Sequence, residues 1–322
     1  MKRAFLLSLL AALGATPCAA FAQAYPTKAV RLIVPFPPGG AVDILGRAIA
    51  TRLTEQLGQQ VVIENRAGAG GALGGEMAAK AAADGYTLLM GSTTTMSINQ
   101  YLYTKLPYDP ARDFVPVTLV AFVPHVLVAG PAAPAQTLRD FIAYAKANPG
   151  KVNYASAGNG TPHHIAGEMF KQMAGIDMVH VPYKGTGPAL TDLVGVQVSF
   201  MSVEILAAMP MVSAGKLHAL GIATAQRNPG APNLPTVAEA GLPGFEVTSW
   251  YGVLAPAGTP REVTARLSAE IARIVASADF RERLAALGAT PVGNSPDEFG
   301  IFMRRESAKW EKAVKASGAR LD

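Results

Sequence analysis

Short runs rich in β-branched residues alternate with segments of helical period along almost the whole chain, and this alternation restricts the possible folds more than any other feature. Residues 30–34, 61–63 and 86–90 read as strands, separated by a helical segment at 41–57 and a small-residue segment ending at Ala83. Within 41–57, Val42, Leu45, Ile49 and Leu53 recur three and four residues apart, which gives one apolar stripe able to cover a sheet. Gly58 stands where that helix should end, because glycine takes the left-handed conformation at no steric cost. The order β-α-β-α-β predicts an α/β fold built on a mostly parallel sheet flanked by helices.

A second series of the same kind follows, with strands expected at 126–128, 152–155, 179–181, 198–201 and 217–223. Its helices are expected at 137–147, 163–173, 188–193 and 207–214. This reads as a second βα lobe inserted within the first. Residues 114–128 form one extended stretch broken by Pro116 and Pro124, and 250–254 form another, so both are candidate crossings between lobes. Two helical segments, 261–276 and 296–315, are expected to pack back on the first lobe.

The first residues predict export. Met1-Lys2-Arg3, an apolar run over 4–13 and Ala22-Gln23-Ala24 are a charged region, a hydrophobic region and a cleavage signal in order, so residues 1–24 are expected to leave as a signal peptide. The apolar run is shorter than the roughly 20 residues of a membrane span. Cys18, the single cysteine, follows Ala15-Thr16-Pro17 instead of a lipoprotein box and should be removed with the leader. The mature chain then has no disulfide and must be held by a buried core, which its length and its 50% hydrophobic content allow. Loss of Lys2 and Arg3 lowers the formal net charge from +5 to about +3, too mild and dispersed a surplus for nucleic-acid binding. No cofactor is expected.

The 32 glycines and 24 prolines gather at strand ends, where α/β folds place ligands. The first candidate loop runs from Pro35 to Asp43, and Phe36, Pro38, Gly39, Gly40, Ala41 and Asp43 are its candidate contacts. Its glycines let backbone amides approach a ligand, and the helix start behind them favours a carboxylate. The plain reading of Asp43 is a helix cap. After the third strand Ser92, Thr93 and Thr94 offer hydroxyls, with a helix cap again the plain alternative. In the second lobe Ser156, Gly158, Asn159, Gly160 and Thr161 lead from a strand into a helix and suggest a second anion cradle facing the first.

Other constellations read as structural. His164 and Glu168 share a helical face, but no second ligand pair is visible, so no metal is expected and His163 and His164 are assigned to capping or rim positions. No G-x-S-x-G elbow supports a hydrolase using Ser156, His163 or His164, and no enzyme activity is expected. Gly68 to Gly74 lacks dinucleotide-loop spacing and reads as a close helix contact, while Lys184 reads as a surface or rim lysine.

Taken together, VPFPPGGAVDILGR (34–47), ENRAGAGG (64–71), DGYTLL (84–89) and YASAGNGTPHHIAGEMF (154–170) resemble the substrate-binding proteins of tripartite tricarboxylate transporters, the Bug family of periplasmic receptors. HVPYKGTGPALTDL (180–193), AGKLHALGIAT (214–224), LPTVAEAGLPGFE (234–246) and WYGVLAPAGTP (250–260) continue the resemblance in order. The resemblance implies a type II periplasmic-binding-protein flytrap, with lobe one at 25–123 and 224–322 and lobe two at 124–223. It implies a small carboxylate as ligand, closed over from the second lobe by Tyr183 and Gly185 as well, with Ser202 on a neighbouring strand as a further contact. It also implies a monomer that works in the periplasm and hands its ligand to membrane permease subunits, or alternatively presents it to a signalling receptor. Family members often carry aspartates where this chain has Ser199 and Val203; Glu204 stands one residue further on.

Overall fold

The computed structural model describes residues 25–317, so the leader assigned to 1–24 lies outside the described residues. Strand β1 (Val30–Val34) is buried except at Arg31 and pairs in parallel with β2 (Val61–Asn65) and β3 (Thr87–Ser92). Helix α1 (Ala41–Leu57) connects β1 to β2, buries the predicted Val42, Leu45, Ile49, Leu53 stripe, and stops at Gly58 with φ 67°. Helix α2 (Ala72–Ala79) leads to β3. Gly91 and Ser92, expected in a loop, instead complete that strand.

The predicted long extended stretch is β4 (Phe114–Ala129). Its first part pairs antiparallel with β9 (Thr248–Pro256), from Phe114 opposite Pro256 to Pro124 opposite Thr248. Beyond Pro124 it leaves β9 and pairs with β7 (Phe200–Glu204) and β8 (His218–Ile222). On the far side β5 (Val152–Ser156) lies parallel between β6 (Met178–Pro182) and β7. A last short strand, β10 (Thr290–Pro291), also pairs with β4. Every antiparallel pairing among the described residues involves β4 or β9; elsewhere the ladders are parallel, as alternating strands and helices require.

This is an α/β fold with one sheet on each side of β4. At the junction three chain passages are tied together. The His125 amide donates to the Val247 carbonyl, Ala223 to His125, and Val247 to Ala223. The candidate crossing at 250–254 therefore lies inside the first sheet, and the passages run through Pro124 and His125 and again just before Thr248.

The second sheet is covered by α3 (Leu138–Ala147), capped by the Thr137 hydroxyl, by α4 (Pro162–Ala174), by α5 (Thr186–Val194) and by α6 (Ile205–Ser213). Pro162 at the first turn of α4 loses nothing, since an amide there has no intrahelical acceptor. Phe141 and Phe170 each lie 4.9 Å from Phe200, and Val237, Leu242, Phe245 and Val247 join this core. The segment following Thr224, expected with the first lobe, thus packs in this part on the second sheet.

The tail returns to the first sheet as α7 (Arg261–Ala276), α8 (Ala278–Ala286) and α9 (Pro296–Ser317). Trp250 of β9 meets Phe299 and Phe302 edge-on, and Leu267, Ile271 and Ile274 share a core with the α1 stripe.

Candidate ligand-binding cleft

The carboxyl ends of β1 and β3 and the start of β9 face α4, α5 and the end of β7 across a narrow cleft. The first sheet contributes Phe36, Gly40, Ala41, Val42, Ser92, Thr93, Thr94, Ser249 and Tyr251. The second contributes Ala157, Thr161, Pro162, His163, Thr186 and Glu204.

The first wall is built by Asp43. Its buried carboxylate accepts from the Gly39 amide at 3.2 Å, Asn65 Nδ2 at 2.9 Å and Arg47 Nε at 3.0 Å, while Asn65 also holds the Phe36 carbonyl. Burial alone would raise its pKa, but Arg47, Asn65 and the Gly39 amide outweigh burial and hold it below the usual carboxylate range. Asp43 is thus a brace that shapes the loop and lies behind the cleft surface. It leaves Ala41 and Val42 in the open first turn of α1, where amides have no intrahelical acceptor and the helix dipole favours an anion. Pro38 and Gly39 are exposed and meet the other lobe instead of the cleft: a Cβ on Gly187 would lie 2.5 Å from the Pro38 carbonyl oxygen. Gly185 packs similarly on Pro37.

Ser92 and Thr95 hydroxyls bond one another at 3.3 Å, and Thr93 Oγ1 accepts from the Trp250 amide at 2.8 Å. Ser92 and Thr93 are held by these bonds and line the cleft beside Thr94.

The second wall differs from the expected mirror-image cradle. Ser156 Oγ accepts from the Gly158 amide and bonds His180 Nε2 at 2.7 Å, Thr161 Oγ1 donates to the Gly158 carbonyl, and the Gly160 amide donates to His164 Nδ1. The polar groups of that turn are therefore paired among themselves. Ser156, Gly158 and Gly160 do not line the cleft, and Asn159 is exposed; Thr161 alone of the five reaches it. Tyr183 donates to Asp192, and Ser202 Oγ bonds His125 Nδ1 behind the wall. Lys184 is exposed.

In place of the cradle stands a buried side-chain network. Glu204 is 2% exposed, with Oε1 accepting from the Tyr251 hydroxyl at 2.7 Å and Oε2 bonded to His163 Nε2 at 2.9 Å. His125 Nε2 bonds Ser249 Oγ at 2.9 Å and lies 3.8 Å from Glu204 Oε1. Burial pushes the Glu204 carboxyl up, but the two histidines and the Tyr251 hydroxyl prevail and hold it well below its ordinary range, so it is an anion. Burial pushes the Tyr251 phenol far up and the His125 imidazole down to about 3, so both are neutral. No Lys or Arg among the described residues lines the cleft.

The expectation that His163 is a cap or rim residue is corrected: it is 4% exposed and forms part of the cleft wall. Glu204, one residue beyond Val203, is the acidic residue of the cleft wall. A charged residue closing a strand at its carboxyl end was the available signal for it. Thr186, Ser249 and Tyr251 carried no local signal. His164 stacks on His180 at 4.1 Å, and Glu168 accepts from Tyr154 and Lys171; no cluster of three or more possible metal ligands occurs among the described residues. Gly74 fits the close-contact reading, since a Cβ there would lie 2.8 Å from Pro35.

The family model described as tripartite tricarboxylate transporter family receptor matches residues 45–319. BugT of Bordetella pertussis is 40% identical over 301 residues, covering 93% of this chain and 92% of BugT. Rpa4515 of R. palustris, solved with adipate, is 40% identical with a TM-score of 0.90, covering 92% of this chain and all of the other. MatC of Rhodopseudomonas palustris, solved with bound malate, is 38% identical with a TM-score of 0.84, covering 90% of this chain and all of the other.

Proposed function

We propose, from the premise that this chain belongs to the tripartite tricarboxylate transporter receptor family, that it captures a small carboxylate in the cleft between its two sheets and delivers it to membrane permease subunits. The observation that carries the reading is the open first turn of α1 at Ala41 and Val42, facing a cleft floored by fixed hydroxyls and closed by the second sheet. Amides without acceptors beside a helix dipole favour an organic anion without a basic side chain. Adipate and malate in the two solved relatives support the ligand class. The cleft is read as a binding site, as the two solved relatives holding adipate and malate suggest.

The working molecule in this reading is a periplasmic monomer freed of residues 1–24. Its lobes are divided at Pro124 as the sequence suggests, but the second division is better drawn near Val247, because Val237, Leu242 and Phe245 pack with Phe141 and Phe170. Ligand shifts an open-closed equilibrium by its differential affinity for the closed form.

Thermal melts of the mature protein against mono-, di- and tricarboxylates test the reading. A true ligand at one hundred times its Kd should add about 2.7 kcal/mol of stability. No shift with any acid would overturn it.

A further inference from the structure

We propose that the end of helix α9 clasps the two lobes together: Trp310 and Val314, carried by the first lobe, close on Ile165 of the second, so that residues outside the cleft set how tightly it holds its ligand. The inference rests on the carboxylate reading above and adds a determinant of affinity to it.

Ile98, Leu102, Ile165, Trp310 and Val314 form a buried apolar cluster of their own, separate from the cores of the two sheets. Its members come from both lobes. Ile98 and Leu102 belong to the helical residues 94–102 that follow β3, and Trp310 and Val314 to the last turns of α9. That helix is fixed to the first lobe: Phe299 and Phe302 pack on Trp250, and Ser307 Oγ bonds Gln100 Nε2 at 2.9 Å and the Tyr101 hydroxyl at 2.7 Å. Ile165, 8% exposed, stands in the first turn of α4, two residues after His163 of the cleft wall. Among the described residues of α4 it alone joins the cluster. Gly160, just before that helix, seats on Leu102 so closely that no Cβ would fit.

Withdrawing His163 from the first wall carries Ile165 with it, because both ride on the first turn of one helix, while Trp310 stays behind on the first lobe. Opening therefore parts the cluster and returns its apolar surface to water, and closing buries it again. That burial is indifferent to the ligand, so it deepens the closed state for any acid that fits and raises the fraction of molecules competent to hold one. The contact is also small enough to part. Away from Ile165, α4 and α9 are separated by a groove lined by Met169, Gln172 and Ala313. Ile165 and Trp310 are thus positioning residues, and neither lines the cleft.

Titration calorimetry of the mature protein with a panel of mono-, di- and tricarboxylates, including acetate, malate, adipate and citrate, tests the clasp. Ile165→Ala removes most of the apolar side chain, so the Kd of whichever acid binds should rise roughly 10-fold, the scale of losing part of one buried aliphatic group. The melting point of the unliganded variant should stay near that of the wild type, and Ile165→Leu, which conserves volume, should recover most of the affinity. Acrylamide quenching reads the same event in the wild type. Of the two tryptophans, Trp250 is locked in the core of the first sheet and Trp310 lies in the clasp, so ligand should protect one tryptophan from acrylamide. The inference is overturned by an unchanged Kd in folded Ile165→Ala, by a melting point that falls as far without ligand as with it, or by quenching that a bound acid does not alter. Should Ile165→Ala fail to fold, wild-type quenching decides. If acids bind and these readouts do not move, the clasp alone fails; if no acid of the panel binds, the carboxylate reading fails and takes the clasp with it.

Discussion

The Tyr251 hydroxyl lies 2.7 Å from Glu204 Oε1, so a strand of the first sheet is bonded to the last residue of a strand in the second. The bond runs across the cleft and needs the two walls in their present positions. A hydrogen bond to a charged group contributes about 1.5–3 kcal/mol.

Tyr251→Phe removes that bond and leaves the anion with His163 as its nearest donor. Carboxylate affinity is expected to fall roughly 10-fold or more, as the bond favours the closed arrangement. Calorimetry on the variant checks this, and an unchanged Kd would show that the bond does not contribute to closure.

Gly187→Ala tests the closed contact sterically. The added Cβ would lie 2.5 Å from the Pro38 carbonyl oxygen, a backbone atom that cannot swing away. Each lobe should fold normally, since the clash is between the first turn of α5 and a loop of the other lobe, while the ligand-induced rise in melting temperature shrinks or disappears. Small-angle scattering should show less compaction on adding ligand than in the wild type.

Asp43→Ala removes the brace of the first loop. The Gly39 amide, the Asn65 amide and Arg47 lose their common acceptor, and a stability loss of about 2–3 kcal/mol is expected from urea unfolding. Ligand affinity should fall too, through the displaced first turn of α1 and not through a lost contact.

Acid should weaken the fold in a defined window. His125, ordinarily near 6.5, is pushed down to about 3 in the folded chain, so between these values the unfolded chain holds a proton that the folded chain refuses. Stability is full above about pH 6.5 and is lost progressively as pH falls toward 3. Glu204, held well below its ordinary range, adds a loss of the same sign below about pH 4.5. Melts from pH 7 to pH 4 should fall more steeply for the wild type than for His125→Gln.

What the sequence disclosed follows the range of the interactions. Strands and amphipathic helices leave a periodic trace, and the helix read at 261–276 is found as Arg261–Ala276. The short helix after it escaped notice because Ser277 turns the chain to an extended conformation and the next nine residues, ADFRERLAA, bury only Phe280 and Leu284. The first wall of the cleft was legible for the same reason: its glycines and hydroxyls lie together in two loops. The second wall was not: His163, Thr186 and Glu204 come from three separate elements and meet one another and Tyr251 of the first sheet only after the sheets are assembled, so no local spacing announces them. Asp43 was visible as a residue, but the choice between contact and cap needed the positions of Gly39, Arg47 and Asn65.

The strand that belongs to both sheets also limits how the molecule can move. A ribbon of hydrogen-bonded strands flexes easily about an axis lying in its own surface, where the bonds merely tilt, and resists bending edgewise, where one strand would have to stretch. With β4 running unbroken through the junction and tied there to Val247 and Ala223, the lobes should swing like a book on its spine, without sliding past each other. Cargo would then enter and leave by the fore-edge, and a membrane partner that gauges the gap between the covers could tell a filled volume from an empty one.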